Sequence, residues 1–219
     1  MLVLHHYPST ASMIPHIVLE ELRVPYRLEF VDRTRDEHKA PAYLRLNPNG
    51  LIPVLQDGEL VLYETAAICL HLADTHPAAR LAPPVGGAPR AHFYKWLSWL
   101  STTLQPALIA YFYPDRWVDA GNADGAAQVR RHAQARVGAL LEQMDAQLAS
   151  HGEPWLLGAD HGVVDAYAFT LCRWTRHFQG EAAAPARTRP HLGPYLQRVF
   201  DRPAVRRVFE QQALPAPYF

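Results

Sequence analysis

The sequence is poor in cysteine and has no excess of charge of either sign. Its 219 residues include only Cys69 and Cys172, far apart in apolar stretches, which excludes a disulfide framework and a cysteine-based zinc site. Lysine plus arginine and aspartate plus glutamate both number 21, so the formal net charge is zero. A neutral chain has no electrostatic hold on nucleic acid or on an anionic membrane, and we expect neither as a partner.

Long hydrophobic runs are also missing. No stretch of about 18 uninterrupted apolar residues occurs, so the sequence predicts no transmembrane helix. The N-terminus lacks a basic segment followed by an apolar one, which argues against a signal peptide. We therefore expect a cytoplasmic protein. The hydrophobic fraction of 49% suffices for a buried core, which excludes a disordered chain.

Proline, in contrast, is abundant, and the 19 prolines divide the chain into short segments. The first 80 residues alternate between strand and helix patterns. Residues 2–6, 26–31, 51–56 and 60–62 predict strands, and helical spacing follows Ser12, a candidate N-cap, and Glu64. Asp57-Gly58 predicts a two-residue hairpin turn between the last two strands. The pattern indicates an α/β domain over residues 1–80.

A different organisation follows this domain. Residues 81–89 are rich in proline, glycine and alanine without any period, which is typical of a linker. Beyond them the apolar residues recur at helical spacing and no strand signal is found, so residues 90–219 predict an all-helical domain. Helices are expected at 90–113, 126–149, 163–178, 191–200 and 203–212.

Three local motifs lie at matching places in this order. They are Asn-Pro-Asn-Gly-Leu-Ile-Pro-Val-Leu at 47–55, Leu-Tyr-Glu-Thr-Ala-Ala-Ile at 62–68 and Gly-Val-Val-Asp-Ala-Tyr at 162–167. With the domain order, they make essentially the whole chain resemble the glutathione S-transferase superfamily. The resemblance implies a thioredoxin-like N-terminal domain, an all-helical C-terminal domain, a cis Ile52–Pro53 bond and a homodimer. In the third motif Asp165 caps a helix, which is a structural role.

Glutathione would bind along the α/β domain. The main chain of Ile52, ahead of Pro53, is expected to pair with the extended tripeptide as an added strand. Glu64 and Thr65 open a helix whose N–H groups attract a carboxylate, so this pair suits the α-amino acid head of glutathione. In Glu37-His38-Lys39, Lys39 or the neighbouring histidine could hold the glycine carboxylate, as the resemblance implies.

Activation of the thiol requires a hydroxyl donor in the loop after the first strand, Pro8 to Ser12. Beta-class enzymes of the superfamily have a cysteine where this chain has Ala11, so a cysteine mechanism is lost. The zeta-class pattern Ser-Ser-Cys-Ser aligns without a gap and maps the activating hydroxyl onto Ser9. Ser12 and then Thr10 are the next candidates, and Tyr7 is a further one because other classes use a tyrosine there.

The second substrate is expected to be a small apolar electrophile held by aromatic side chains of the helical domain, with Tyr111 and Trp117 as candidates. Gln105 stands where beta-class enzymes have a histidine. His5 and His6 are adjacent in a strand and point to opposite faces, so no metal site is expected.

The leading hypothesis is a glutathione transferase with glutathione as its co-substrate. A non-catalytic glutathione-binding or regulatory protein of the same fold is one alternative, and a glutathione-dependent isomerase is another.

Overall fold

The computed structural model describes residues 1–179 and 184–219; residues 180–183, inside the predicted helical domain, lie outside the described part. The strands are β1 Leu2–His6, β2 Tyr26–Phe30, β3 Val54–Asp57 and β4 Leu60–Tyr63. The helices are α1 Met13–Leu22, α2 Pro41–Leu44, α3 Thr65–Thr75, α4 Ala88–Trp99, α5 Gln105–Phe112, α6 Ala123–His151, α7 Val163–Trp174, α8 Leu192–Phe200 and α9 Pro203–Gln211.

The four strands form one mixed sheet in the order β2-β1-β3-β4. β1 runs parallel to β2 and antiparallel to β3, and β3 runs antiparallel to β4. A parallel β-α-β unit joined to a β-hairpin and a helix is the thioredoxin-like arrangement that the sequence predicts. The all-helical segment follows it, so the predicted fold class is confirmed.

The hairpin turn differs by one residue from its predicted place. Asp57 pairs with Leu60 of β4 and with Leu2 of β1, so it is the last residue of β3 and not a residue of the turn. The two loop residues are therefore Gly58 and Glu59, with Gly58 at φ +60°.

Contacts divide the molecule into two compact units. The first contains residues 1–90 and 200–215, and the second contains 91–199 and 216–219. By this measure α9 lies with the α/β unit, although it comes late in the chain. The domain ranges expected from the sequence, 1–80 and 90–219, stay a prediction.

Helix α9 packs on α1 through buried polar groups. His16 is 0% exposed, and its Nε2 lies 2.6 Å from Gln211 Oε1 while its Nδ1 lies 2.9 Å from Gln212 Nε2. Beside them, the Arg207 guanidinium donates to Glu20 at 2.6 Å. Burial lowers the pKa of His16 to about 4; the Gln211 hydrogen bond opposes this shift in part. His16 is therefore neutral at neutral pH.

In the helical unit, α7 is buried along nearly its whole length, and the Asp165 carboxylate near its start serves three donors. It accepts the N–H of Leu156 at 3.0 Å, the N–H of Gly162 at 2.8 Å and the hydroxyl of Tyr195 at 2.8 Å. Asp165 thus joins the loop before α7, the start of α7 and α8. The predicted capping role of Asp165 is confirmed.

Replacing Asp165 with alanine should lower the free energy of unfolding by at least about 3 kcal/mol, because three donors would lose a charged acceptor in the interior. Urea unfolding at neutral pH measures the change. Asp119→Ala, at an exposed position, is the matched control and should stay within about 0.5 kcal/mol of the parent. Equal losses in the two variants would contradict the central role of Asp165.

Replacing His16 with glutamine should make folding less sensitive to acid. The pKa of His16 is 6.5 in the unfolded chain and about 4 in the native state. Between these two pH values the unfolded chain binds a proton at His16 and the native state does not, so stability is lost as the pH falls through this range. The loss attributable to His16 is about 2 kcal/mol between about pH 7.5 and about pH 5.

Urea unfolding of the parent and of His16→Gln at both pH values gives this difference directly. The exposed His92 provides the control, since His92→Gln should keep the acid sensitivity of the parent. An unchanged pH dependence in His16→Gln would show that His16 is not a buried neutral base.

Candidate functional site

The register of the sheet brings three separate segments to one end of the α/β unit. Val54 pairs with His5 of β1 on one side and with Tyr63 of β4 on the other. At the next position along these ladders, Pro53 lies between His6, the last residue of β1, and Glu64, which follows β4. The loop 7–12, the Ile52–Pro53 segment and the start of α3 therefore meet at the same edge.

The Ile52–Pro53 peptide bond is cis, which confirms the prediction. The carbonyl oxygen of Leu51 accepts from the Tyr43 hydroxyl at 2.9 Å and from the Asn47 amide at 2.8 Å. Ile52 packs beside the cluster that Tyr43 forms with Val31 and Val54. The chain before Pro53 is thus anchored on its inner side, and Ile52 lies beyond the last paired residue of β3.

The start of α3 carries the acidic and hydroxyl pair that the sequence indicates. Glu64 is exposed at φ +71°, and Thr65, the first residue of the helix, is buried. The first N–H groups of a helix have no partner within the helix, and its dipole favours an anion there. The arrangement can accept a carboxylate through the helix N–H groups while Glu64 meets a cation.

The loop with Glu37, His38 and Lys39 lies against the turn that leads to Ile52. A Cβ atom on Gly50 would come within 3.1 Å of the His38 carbonyl oxygen and 4.0 Å of the Lys39 side chain. The His38 ring is buried, and burial lowers its pKa, with Arg33 and Lys39 adding to the shift. The Lys39 side chain is 65% exposed and pairs with Asp36 at 2.9 Å. Of the two alternatives, Lys39 is therefore the accessible cation.

Two of the candidate hydroxyl groups in the loop after β1 are used within the loop. The Thr10 hydroxyl donates to the carbonyl oxygen of Tyr7 at 2.7 Å, and the Ser12 hydroxyl donates to the same oxygen at 3.0 Å. Ser12 also accepts the N–H of Tyr7 at 3.2 Å and is fully buried. Ser12 lies at the N-cap position of α1, as the sequence predicts, but its side chain bonds backwards to Tyr7 and makes no capping bond to the helix.

Ser9 occupies the tip of this loop. It is half-buried and has φ +63°, which is uncommon for a residue with a side chain. Its N–H donates to Gln212 Oε1 at 3.1 Å. Tyr7, the remaining candidate, stacks on Phe30, and the Arg33 guanidinium lies 5.9 Å from the centre of its ring.

The thiols of the chain itself are not reactive groups. Cys69 and Cys172 are both fully buried, and burial raises the pKa of both thiols, that of Cys172 to about 12. Gln105 accepts the Tyr167 hydroxyl at 2.6 Å inside the helical unit. Its amide therefore holds α5 to α7.

The two aromatic candidates of the helical unit lie in different surroundings. Tyr111 packs on Phe178, with ring centres 4.4 Å apart. Trp117 is 59% exposed and lines a groove of about 580 Å³ between α5 and α6. Tyr111 is not among the described residues that line this groove.

The residues that sequence reasoning missed are Gln211 and Gln212. Gln211 lies 195 residues after its partner His16 in the sequence, and Gln212 lies 203 residues after its partner Ser9. Two consecutive amides at the end of an amphipathic helix read as solvated polar residues, and no local spacing marks them as partners of an N-terminal loop. Only the packing of α9 on α1 reveals them.

Residues 1–179 and 184–219 contain no group of three or more His, Cys, Asp or Glu side chains placed to hold a metal ion. Over the same residues, none of the helices combines the length and apolar character needed to cross a membrane. His5 Nε2 forms a hydrogen bond with Gln56 Oε1 at 2.8 Å, and the ring of His6 contacts the rings of His16 and Phe30.

Two family models match the chain over most of its length. The model for the glutathione S-transferase N-terminal domain matches residues 8–75, and that for the C-terminal domain matches residues 99–203. Among curated relatives, glutathione S-transferase GST-4.5 of Xanthomonas campestris is 32% identical over 177 residues, covering 78% of this chain and 81% of the relative.

Solved structures agree with these matches. A glutathione transferase homologue from Sulfitobacter with bound glutathione superposes with a TM-score of 0.86 at 25% identity, over 98% of this chain and 99% of that one. A sphingomonad glutathione S-transferase complexed with glutathione gives a TM-score of 0.80 at 28% identity, over 97% and 100% of the two chains. The chain therefore belongs to the glutathione S-transferase family.

Proposed function

We propose that this glutathione transferase binds glutathione at the edge of the sheet and activates its thiol with the Ser9 hydroxyl for attack on a small apolar electrophile. The observation that carries the proposal is the meeting of three segments beyond Val54: the Ser9 loop, Ile52–Pro53 and the start of α3. Glutathione bound in the related Sulfitobacter and sphingomonad proteins supports the ligand.

Each end of the tripeptide has a matching group. The α-amino acid head carries a carboxylate and an ammonium group, which suit the N–H groups at the start of α3 with Thr65 and the carboxylate of Glu64. The main chain of Ile52 would pair with the middle of the tripeptide as an added strand. Lys39, exposed beside Gly50, would meet the glycine carboxylate.

The thiol requires a hydrogen bond to its ionised form, because its free pKa of about 8.5 leaves it mostly protonated at neutral pH. Thr10 and Ser12 both donate to the Tyr7 carbonyl oxygen. We propose Ser9 as the donor to the sulfur because the zeta-class pattern maps the activating hydroxyl onto it. The start of α1 follows the loop directly, and its dipole would add to the stabilisation of the thiolate.

The second substrate stays at the level of the sequence prediction. Tyr111 and Trp117 belong to the helical unit, and we propose them as separate contacts for an apolar electrophile, each in its own surroundings. A cytoplasmic location and a homodimer are likewise predictions from the sequence and its resemblance.

Replacing Ser9 with alanine should lower kcat/KM for a model aryl halide by about 10- to 100-fold, the range expected when a hydrogen bond to a charged group is lost. The apparent pKa of the bound thiol, followed by the ultraviolet absorbance of the thiolate, should rise in parallel. Ser150→Ala, at an exposed position near the end of α6, is the control and should match the parent.

If the rate and the thiol pKa are both unchanged in Ser9→Ala, Ser9 has no part in the mechanism. Absence of turnover in the parent together with tight glutathione binding would instead favour the non-catalytic alternative.

Replacing Thr65 with valine keeps the shape of the side chain and removes its hydroxyl, so glutathione affinity should fall by about tenfold. Thr75→Val makes the same change at the other end of α3, where the hydroxyl donates to the His71 carbonyl oxygen, and should leave affinity unchanged. Calorimetric titration with glutathione compares the two. Equal dissociation constants would remove Thr65 from the binding site.

A further inference from the structure

We propose that Gln212, at the end of α9, positions the Ser9 loop for thiol activation, and that the neutral His16 ring, whose Nε2 proton faces Gln211, fixes the direction of the Gln212 amide. This inference rests on the proposed role of Ser9 and adds positioning residues from the far end of the chain. Both glutamines lie beyond residues 8–75 and 99–203, the ranges that the family models match.

The first step is the contact with the loop itself. Ser9 has a left-handed backbone at φ +63°, a conformation that is unfavourable for a residue with a side chain. Its N–H reaches Gln212 Oε1 at 3.1 Å, and Gln212 is buried. A bond from a packed helix to this N–H favours the conformation that sets the direction of the Ser9 side chain.

The second step is the direction of each hydrogen bond. An amide accepts with its oxygen and donates with its nitrogen. Because Gln212 Oε1 accepts from Ser9, Gln212 Nε2 is the group that faces His16 Nδ1, at 2.9 Å, and it must donate. Nδ1 therefore carries no proton, and the proton of the neutral ring lies on Nε2.

The third step is the partner of that proton. His16 Nε2 donates to Gln211 Oε1 at 2.6 Å, and Gln211 Nε2 donates in turn to Glu20 Oε1 at 2.9 Å. Tyr26 donates to the same carboxylate, and Arg207 binds it at 2.6 Å. Every donor in the series from Ser9 to Glu20 faces an acceptor, and only one tautomer of His16 satisfies all of them.

The ionisable groups around His16 preserve this tautomer. His6 of β1 faces the ring and disfavours its positive charge, while Glu20 of α1, with Tyr26 of β2 beside it, acts in the opposite direction. From α9, Arg207 meets Glu20 and balances its charge. Burial is the largest influence and holds the pKa of His16 near 4.

If His16 were protonated at Nδ1, this N–H would face the Nε2 amide group of Gln212, and neither group could accept a hydrogen bond from the other. The Gln212 amide would have to turn, and its nitrogen would then face the N–H of Ser9. The Ser9 loop would lose its bond to α9, and the hydroxyl would lose its fixed direction toward the sulfur. Gln212 is thus a positioning residue that acts through Ser9.

The direct test is the tautomer in the parent protein. Long-range proton–nitrogen NMR of protein with labelled histidine rings should show His16 neutral, with its proton on Nε2, in the presence and absence of glutathione. This readout does not depend on activity. A proton on Nδ1, or a charged ring at neutral pH, would overturn the inference whatever Ser9 does.

The functional test uses Gln212→Met, which keeps the length of the side chain and removes both polar groups. The apparent thiol pKa should rise by about one unit and kcat/KM at neutral pH should fall by about tenfold, as for one lost hydrogen bond. At a pH below the thiol pKa of both proteins, the dissociation constant of glutathione should change by less than about twofold, because no binding group is removed. Gln143→Met, at an exposed position on α6, is the matched control.

Combining Gln212→Met with Ser9→Ala separates the two proposals. If Gln212 acts through Ser9, it should have no further effect on the thiol pKa once the hydroxyl is gone. Additive effects, or an unchanged thiol pKa in Gln212→Met while Ser9→Ala raises it, would overturn the inference and leave the role of Ser9 intact. No effect of Ser9→Ala would overturn both, while the NMR result would still report on the tautomer.

Should Gln212→Met fail to fold, Gln212→Glu serves in its place. Its carboxylate can accept from Ser9 but cannot donate to His16, so a proton should move to Nδ1 and the histidine should titrate at higher pH. An unchanged His16 ring in this variant would also overturn the inference.

Discussion

The double pairing of Val54 is the constraint on which the site depends. This residue has β1 on one side and β4 on the other, so its register determines which residues follow each strand at that edge. A slip of one residue would reverse the faces of β3 and separate Ile52 from its neighbours on both sides. The anchoring of the Leu51 carbonyl by Tyr43 and Asn47 works against such a slip, because both donors would lose their acceptor.

Much of the fold was predictable because its signals are local. The alternation of strands, the proline at position 53 and the acid three residues into α7 each act on their immediate neighbours, and each is found where the sequence indicates it. The hairpin turn lies one residue later than predicted because Asp57 pairs with both β1 and β4. A local turn preference does not include this pairing. Ser12 lies at the predicted N-cap position, but its hydroxyl bonds to Tyr7 behind it and not to the helix ahead.

The site was predictable in part. The segments that would bind the tripeptide carry motifs, so Ile52, Pro53, Glu64 and Thr65 could be named from the sequence. The support of the Ser9 loop carries no motif, because Gln212 is an ordinary polar residue until α9 folds back on α1. Contacts between residues near opposite ends of a sequence depend on tertiary packing, and local periodicity does not predict them.

The return of α9 to the first unit also has a consequence for how the protein is made. Residues 200–215 complete a compact unit that residues 1–90 begin, and 109 residues of another unit, Ala91 to Val199, are synthesised in between. A nascent chain therefore exposes the polar side of α1, with His16 and Glu20 still hydrated, until residues 200–215 have emerged from the ribosome. The contacts of α1 with α9 can therefore form only after the intervening unit has been synthesised.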